Sequence, residues 1–141
     1  MIKNLHEYFL PEQEYYLNEI LYKRIECNNV LENGTAICED SISTNINESH
    51  ELNILVTRKF YFEPEQIFKI EISFGADLKF NPEKENEYDW KTIDLSQEVR
   101  EHGEFVLSNL MSRISLLYAQ ITSSYGQQPL ILPPNVIKSN E

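Results

Sequence analysis

The 141-residue chain contains three histidines and two cysteines, the residue types that most often carry acid–base, nucleophilic or metal chemistry. His6, His50 and His102 are far apart, and no two of them have the spacing of a metal-binding pair. A helix would place Glu98 and His102 on one face within hydrogen-bonding reach, but a metal ion there would still lack ligands. We therefore predict no catalytic residue and no metal site.

The short motifs of common enzymes and nucleotide-binding proteins are also absent. The sequence contains no G-x-S-x-G, no P-loop and no G-x-G-x-x-G, and the acidic run from Glu83 to Asp89 lacks calcium-loop spacing. Cys27 and Cys38 are compatible with a reducing compartment if both stay as free thiols. Binding is therefore favoured over catalysis, and no cofactor is expected. One alternative stays open, a small α+β enzyme or ligand-binding domain with a pocket under the loop that carries Trp90.

The formal net charge of −11 argues against a nucleic-acid partner, because such proteins concentrate Lys and Arg to neutralise phosphates. The acidic residues are concentrated in residues 63–104, which contain twelve carboxylates and five basic residues. This surface is either a solvated face or a docking surface for a basic partner. The sequence shows no signal peptide and no apolar run of the ~20 residues that span a bilayer, so we expect a cytoplasmic protein without membrane insertion.

The length corresponds to a single domain over residues 1–141. Its predicted segments are an N-terminal arm at 1–16, antiparallel strands within 17–80, a charged loop at 81–94, a long helix at 95–125 and a Pro-rich tail at 126–141. Asn33-Gly34 predicts a hairpin between a strand at 17–31 and a second strand from Thr35 to about Ile46. That hairpin would make Cys27 and Cys38 diagonal neighbours.

Alternating apolar residues predict two further strands, at 52–62 and 67–80, with Gly75 marking a bulge or a close backbone approach. Either Asp94 or Ser96 can cap the long helix. The helix has an apolar arc wide enough to need cover on more than one side, which favours a partner subunit. The predicted fold class is α+β, a four-stranded antiparallel sheet packed on one long C-terminal helix.

The stretch from Ile114 to Pro134, ISLLYAQITSSYGQQPLILPP, resembles the SecB family of protein-export chaperones, in which a long helix leads through a Ser-x-Gly-type turn into a Pro- and Leu-rich extended stretch. The resemblance extends over about residues 19–137, and its specific part is the last 25 or so. It implies an ATP-independent holdase that binds unfolded or non-native polypeptides in hydrophobic grooves. It also implies a homotetramer, a dimer of dimers, with the SecA translocase motor as a partner in export.

The resemblance implies three sets of site residues. The client-binding residues at the helix end and in the tail are Tyr125, Leu130, Ile131 and Leu132. The aromatic client-binding candidates on the strands, for which core packing is the alternative, are Phe60, Phe62, Phe68 and Phe74. The oligomer interface comprises Leu107, Met111, Ile114 and Tyr118. Apart from the resemblance, Glu63, Glu65 and Glu71 are candidates for an acidic surface that meets a basic partner, and solubilising charge is the alternative.

The chain departs from the family pattern after the tail. Typical members continue into a second helix that contributes to SecA docking, whereas Asn135 and Val136 are followed here by only five residues. We therefore keep an alternative hypothesis, a dedicated adaptor with one specific client that lacks a general export function. SecB-like chaperones linked to toxin–antitoxin modules work in this way.

Overall fold

The structure, a computed structural model, describes residues 2–26 and 34–137 of the chain. Four strands form one antiparallel sheet: β1 at Phe9–Ile25, β2 at Thr35–Ile46, β3 at Glu51–Glu63 and β4 at Ile67–Phe80. Two helices follow, α1 at Leu95–His102 and α2 at Glu104–Ser123, with short 3-10 turns at Leu5–Tyr8 and Glu85–Glu87. The predicted α+β class, a four-stranded antiparallel sheet with a long C-terminal helix, is confirmed.

The strands β2, β3 and β4 lie where the sequence predicted them. Alternation explains β3 and β4, because every second side chain points to the face that α2 covers. Leu52, Ile54 and Val56 on β3 have no exposed surface, and Ile72 on β4 faces the same core. The outer face of the same strands carries charged and polar residues.

The predicted hairpin between the first two strands is wrong. The strand order is β1-β4-β3-β2, so β1 and β2 lie at opposite edges of the sheet. β4 buries an apolar side chain at every second position from Ile70 to Phe80 and takes a central position between β1 and β3, which outweighs the local turn preference of an Asn-Gly pair. Cys38 pairs with Phe60 on β3 rather than with β1. Asn33 and Cys27 lie outside the described residues.

The N-terminal strand also begins earlier than predicted, at Phe9 rather than Leu17. The preceding residues Ile2, Leu5 and Tyr8 are buried, so this arm is part of the core. Gly75 on β4 lies directly opposite Tyr16 of β1, and the Tyr16 ring occupies the space that a Cβ at Gly75 would need. The close approach predicted at Gly75 is therefore made by a side chain rather than by a backbone.

The predicted single helix over 95–125 is two helices. Asp94 caps α1, because its Oδ1 accepts a hydrogen bond from the Gln97 backbone N at 3.2 Å. The Gly103 backbone N then donates to Val99 O at 2.7 Å, and its own oxygen accepts from Leu107 N at 2.9 Å. A Cβ at Gly103 would overlap Val99 O, so this junction requires glycine.

The Trp90 loop is fixed to the body of the protein. The Trp90 indole is buried and packs against the rings of Tyr8, Phe9 and Phe80, and its Nε1 donates to Glu85 O at 2.7 Å. This arrangement corresponds to an anchor rather than a lid. In the part of the chain that the structure describes, neither helix has the length and apolar character to cross a bilayer.

Candidate polypeptide-binding cleft

The tail folds back along α2 after a turn at Gly126, which has a φ of 85°. The Leu130 backbone N donates to Thr122 Oγ1 at 2.7 Å, and Ser115 Oγ on the same helix donates to Pro133 O at 3.3 Å. The side chains of Leu132 and Val136 pack against the core. The tail is therefore a second layer on the helix.

Arg58 binds the backbone of the tail at Pro133 and Asn135. Its guanidinium donates to both carboxylate oxygens of Asp40, through Nε at 2.7 Å and Nη2 at 2.8 Å. The same guanidinium donates to Pro133 O at 2.7 Å and to Asn135 O at 2.9 Å. Asp40 Oδ2 in turn accepts from Ile137 N at 2.7 Å. Both charged side chains are fully buried, so these hydrogen bonds replace the water they have lost.

Sequence reasoning missed Arg58, although a signal was present. Arg58 stands at an inward position of β3, where every neighbour of the same parity is apolar. A charge at such a position requires a buried partner, and Asp40 lies directly opposite it on β2. The identity of the partner depends on the β2–β3 register, which the sequence alone did not define.

The predicted interface residues on the helix are buried within the protomer. Met111, Ile114 and Tyr118 have no exposed surface, and Leu107 has almost none. The sheet covers one side of this stripe, and the tail around Pro134–Val136 borders the other. Within one protomer, the sheet and the tail therefore cover the stripe formed by these four residues.

A cleft of about 770 Å³ lies where the end of β1, the start of β4, the end of α2 and the turn into the tail meet. Its lining from the two strands is Tyr22, Arg24, Ile67 and Phe68, and from the helix end and tail it is Thr122, Tyr125, Gln127, Gln128, Pro129 and Leu130. Among the residues that the structure describes, none in this lining is acidic, although the chain carries a net charge of −11. Such a lining can bury apolar side chains without repelling an acidic segment.

Aromatic rings connect this cleft to the core. The Phe68 ring stacks on Phe60 with centroids 6.0 Å apart and on Tyr22 with centroids 5.9 Å apart. The Tyr22 and Tyr125 rings are 6.0 Å apart across the cleft. Partial burial of Tyr125, which is 45% exposed, together with its hydrogen bond to Tyr22, raises its pKa to about 12. The Tyr22 and Tyr125 side chains therefore join the β1 side of the cleft to its tail side.

The predicted client-binding residues fall into two groups. Tyr125, Leu130 and Phe68 line the cleft, and Ile131 is 74% exposed next to Leu130. The remaining predicted residues lie elsewhere: Leu132, Phe60 and Phe74 are buried in the core, and Phe62 is half-buried beside Phe60 and Phe68. Sequence reasoning missed Tyr22 and Ile67, both of them large and exposed. Their positions followed from the β1–β4 pairing, which was not predicted.

The predicted acidic surface is of mixed charge. Glu71 on the outer face of the sheet lies opposite Lys59 of β3. Glu65 and Glu71 line a smaller cleft of about 300 Å³ together with Lys59 and Lys69. Glu63 is exposed at the end of β3. The lysines offset the acidic charge locally, so these carboxylates do not form a continuous negative surface.

The histidines and the cysteine within the described residues do not form a reactive site. His50 Nε2 lies 3.3 Å from Glu85 Oε2 at the surface, and His102 Nε2 lies 3.7 Å from Glu101 Oε2. The hydrogen bond that helical spacing would allow between Glu98 and His102 is not made through His102 Nε2, and Glu98 Oε2 instead accepts from the Ile2 backbone N at 2.9 Å. Burial raises the pKa of the Cys38 thiol. Over residues 2–26 and 34–137, no three His, Cys, Asp or Glu side chains come together as a metal site.

This architecture, a four-stranded antiparallel sheet with a C-terminal helix and a returning tail, is the SecB-like fold. The Rv1957 SecB-like chaperone of Mycobacterium tuberculosis, solved with a ChAD peptide from the Rv1956 HigA1 antitoxin, matches with a TM-score of 0.64 and 13% identity over 85% of this chain and 83% of that chain. A protein of unknown function from Streptococcus agalactiae matches more loosely, with a TM-score of 0.43 and 13% identity over 86% and 95% of the two chains. No family model and no curated protein sequence matches this chain. The resemblance inferred from the sequence is confirmed as a resemblance of fold.

Proposed function

We propose that the protein is an ATP-independent molecular chaperone, a holdase that binds unfolded or non-native polypeptide in the cleft between β1, β4 and the tail. The observation that carries this proposal is the lining of that cleft. Aromatic and aliphatic side chains that include Tyr22, Phe68, Tyr125 and Leu130 meet there, and the described part of the lining contains no carboxylate although the protein is strongly acidic. Unfolded chains are held by burial of their apolar side chains, which requires neither a cofactor nor a sequence code.

The acidic surface supports the same function in a different way. A net charge of −11 keeps protein molecules apart while each of them exposes an apolar cleft. A charge of this sign also disfavours nucleic acid as a competitor for the cleft. We place such a holdase in the cytoplasm, where nascent and unfolded chains occur.

A dedicated client is the second candidate function, and the fold neighbour favours it. The Rv1957 chaperone has this fold and was solved with a peptide from an antitoxin. A chaperone of this kind would bind one protein tightly and unrelated unfolded chains weakly. Export through SecA is a further proposal with less support, because Lys59 and Lys69 interrupt the acidic surface around Glu71 that would receive a basic partner.

We also propose that the protein assembles into a homotetramer, through surfaces other than the predicted helix stripe. The edge strand β1 exposes large apolar side chains on both of its faces, among them Leu17 at 50%, Ile20 at 42% and Leu21 at 40%. An exposed apolar edge strand is normally covered by another chain. Light scattering tests this, because a monomer would contradict the assembly.

Suppression of aggregation tests the proposed function and separates the two candidates. Two unrelated proteins are diluted from denaturant with and without the purified chain, and their turbidity is followed. A general holdase suppresses aggregation of both proteins near equimolar ratio. A dedicated chaperone suppresses neither at several-fold molar excess, yet it retains one partner in a pull-down. Failure of both assays would contradict the proposed function.

A further inference from the structure

Thr122 forms the first anchor of the tail, at the end of α2. Its Oγ1 donates to Tyr118 O at 2.7 Å and accepts from the Leu130 backbone N at 2.7 Å. The residue is 97% buried, so water does not compete for these hydrogen bonds. The hydroxyl therefore links the helix backbone to Leu130, a tail residue that lines the cleft.

The Arg58–Asp40 pair forms the second anchor, three residues further along the tail. Arg58 donates to the backbone oxygens of Pro133 and Asn135, and Asp40 accepts from the Ile137 backbone N. Every one of these hydrogen bonds ends on the main chain of the tail. Between the anchors, the Leu132 side chain is also buried in the core, whereas the Ile131 side chain is 74% exposed and does not attach the segment.

Between the two anchors, Leu130 lines the cleft and Ile131 is 74% exposed. A large aliphatic side chain on a loose segment would turn inward to escape water. Here the two backbone anchors and the buried side chain of Leu132 prevent that rotation. Fixing the segment in advance also removes part of the ordering cost of binding a client.

We propose that Thr122 and the Arg58–Asp40 pair are positioning residues of the cleft, which hold the tail by its backbone at both ends and so present Leu130 and Ile131 to the client. This inference rests on the proposed function. It assigns a positioning role to three buried residues, of which Thr122 also borders the cleft.

The test compares Thr122→Val, which removes the hydroxyl and keeps the shape, with Thr122→Ser, which keeps the hydroxyl. Hydrogen exchange of the Leu130 amide, the thermal midpoint of unfolding and the affinity for a labelled, reduced unfolded polypeptide are measured for the full chain. Thr122→Val should accelerate Leu130 exchange by at least about ten-fold and weaken affinity by at least about three-fold, the effect expected from losing one buried hydrogen bond. Thr122→Ser should retain both wild-type values.

Equal affinity of all three proteins, with exchange of Leu130 accelerated in Thr122→Val, would overturn the inference and leave the proposed function intact. If the wild type binds no unfolded polypeptide, both the proposed function and the positioning role of these three residues are contradicted. If Thr122→Val does not fold, Thr122→Ala removes the same hydroxyl without adding a methyl group, and the same outcomes apply to it. If Thr122→Ser, which keeps the hydroxyl, loses as much affinity as Thr122→Val, the hydroxyl does not position the tail.

Discussion

Arg58 and Asp40 face each other across β2 and β3 as a fully buried, bidentate ion pair, with Nε 2.7 Å from Oδ1 and Nη2 2.8 Å from Oδ2. The pair joins three parts of the chain, because both side chains also bind the backbone of the tail. A buried charge whose partner is removed is far more costly than the pair itself. The pair therefore connects the stability of the sheet to the position of the tail.

We predict that Arg58→Met lowers the free energy of unfolding by about 3–5 kcal/mol, because it leaves the Asp40 carboxylate buried without its partner. Denaturant unfolding of the purified protein measures this loss. The matched control is Arg58→Met combined with Asp40→Leu, which removes both charges and should cost less than the sum of the two single variants. A loss below about 1 kcal/mol in Arg58→Met would contradict a paired, desolvated arginine.

Gly75 and Tyr16 provide a second stability test, in the pairing of β1 with β4. Gly75→Ala should destabilise the protein by about 1–3 kcal/mol, because the new methyl group overlaps the Tyr16 ring and displaces its hydroxyl from Asn53 Nδ2, which lies at 2.6 Å. In a Tyr16→Ala background the same substitution should cost much less. Equal costs in the two backgrounds would show that the ring does not lie over Gly75.

The titration of Tyr125 gives a prediction for alkaline pH. Burial and the hydrogen bond to Tyr22 raise the pKa of Tyr125 to about 12, so the folded state holds this proton more tightly than an unfolded tyrosine, whose pKa is about 10. The resulting stabilisation is complete below about pH 10 and is lost as the pH rises towards about 12. Phenolate absorbance of the wild type minus that of Tyr125→Phe should therefore show a midpoint well above 10, and Tyr22→Phe should lower it. A difference midpoint near 10 would contradict the contact across the cleft.

Local patterns predicted much of this fold. The strict alternation of β3 and β4, the Asp94 cap of α1 and the Gly126 turn into the tail are each determined by a few neighbouring residues. Local patterns could not predict which strand pairs with β1. That pairing depends on β4 being apolar enough to take a central position in the sheet. The break at Gly103 was missed for a related reason, since an isolated glycine within a helical pattern is usually tolerated.

Of the cleft, only the tail side and Phe68 on β4 were predicted from the sequence. Tyr125 and Leu130 were identified because the stretch from Ile114 to Pro134 resembles the SecB family, and that resemblance implies client binding at the helix end and in the tail. Tyr22 and Ile67 reach the cleft through the β1–β4 register, and Arg58 reaches the tail across more than 70 residues of sequence. Such contacts combine distant segments, so no local pattern could show them.

The affinity of a labelled, reduced unfolded polypeptide for three proteins tests the central claim most directly. The proteins are the wild type, the double variant Tyr125→Ser/Leu130→Ser and the control Leu116→Ser, whose side chain is more exposed but lies outside the cleft. Loss of two apolar contacts should weaken binding by at least about ten-fold in the double variant, whereas the control should stay within about two-fold of the wild type. Equal affinities of all three proteins would contradict binding of non-native polypeptide in this cleft.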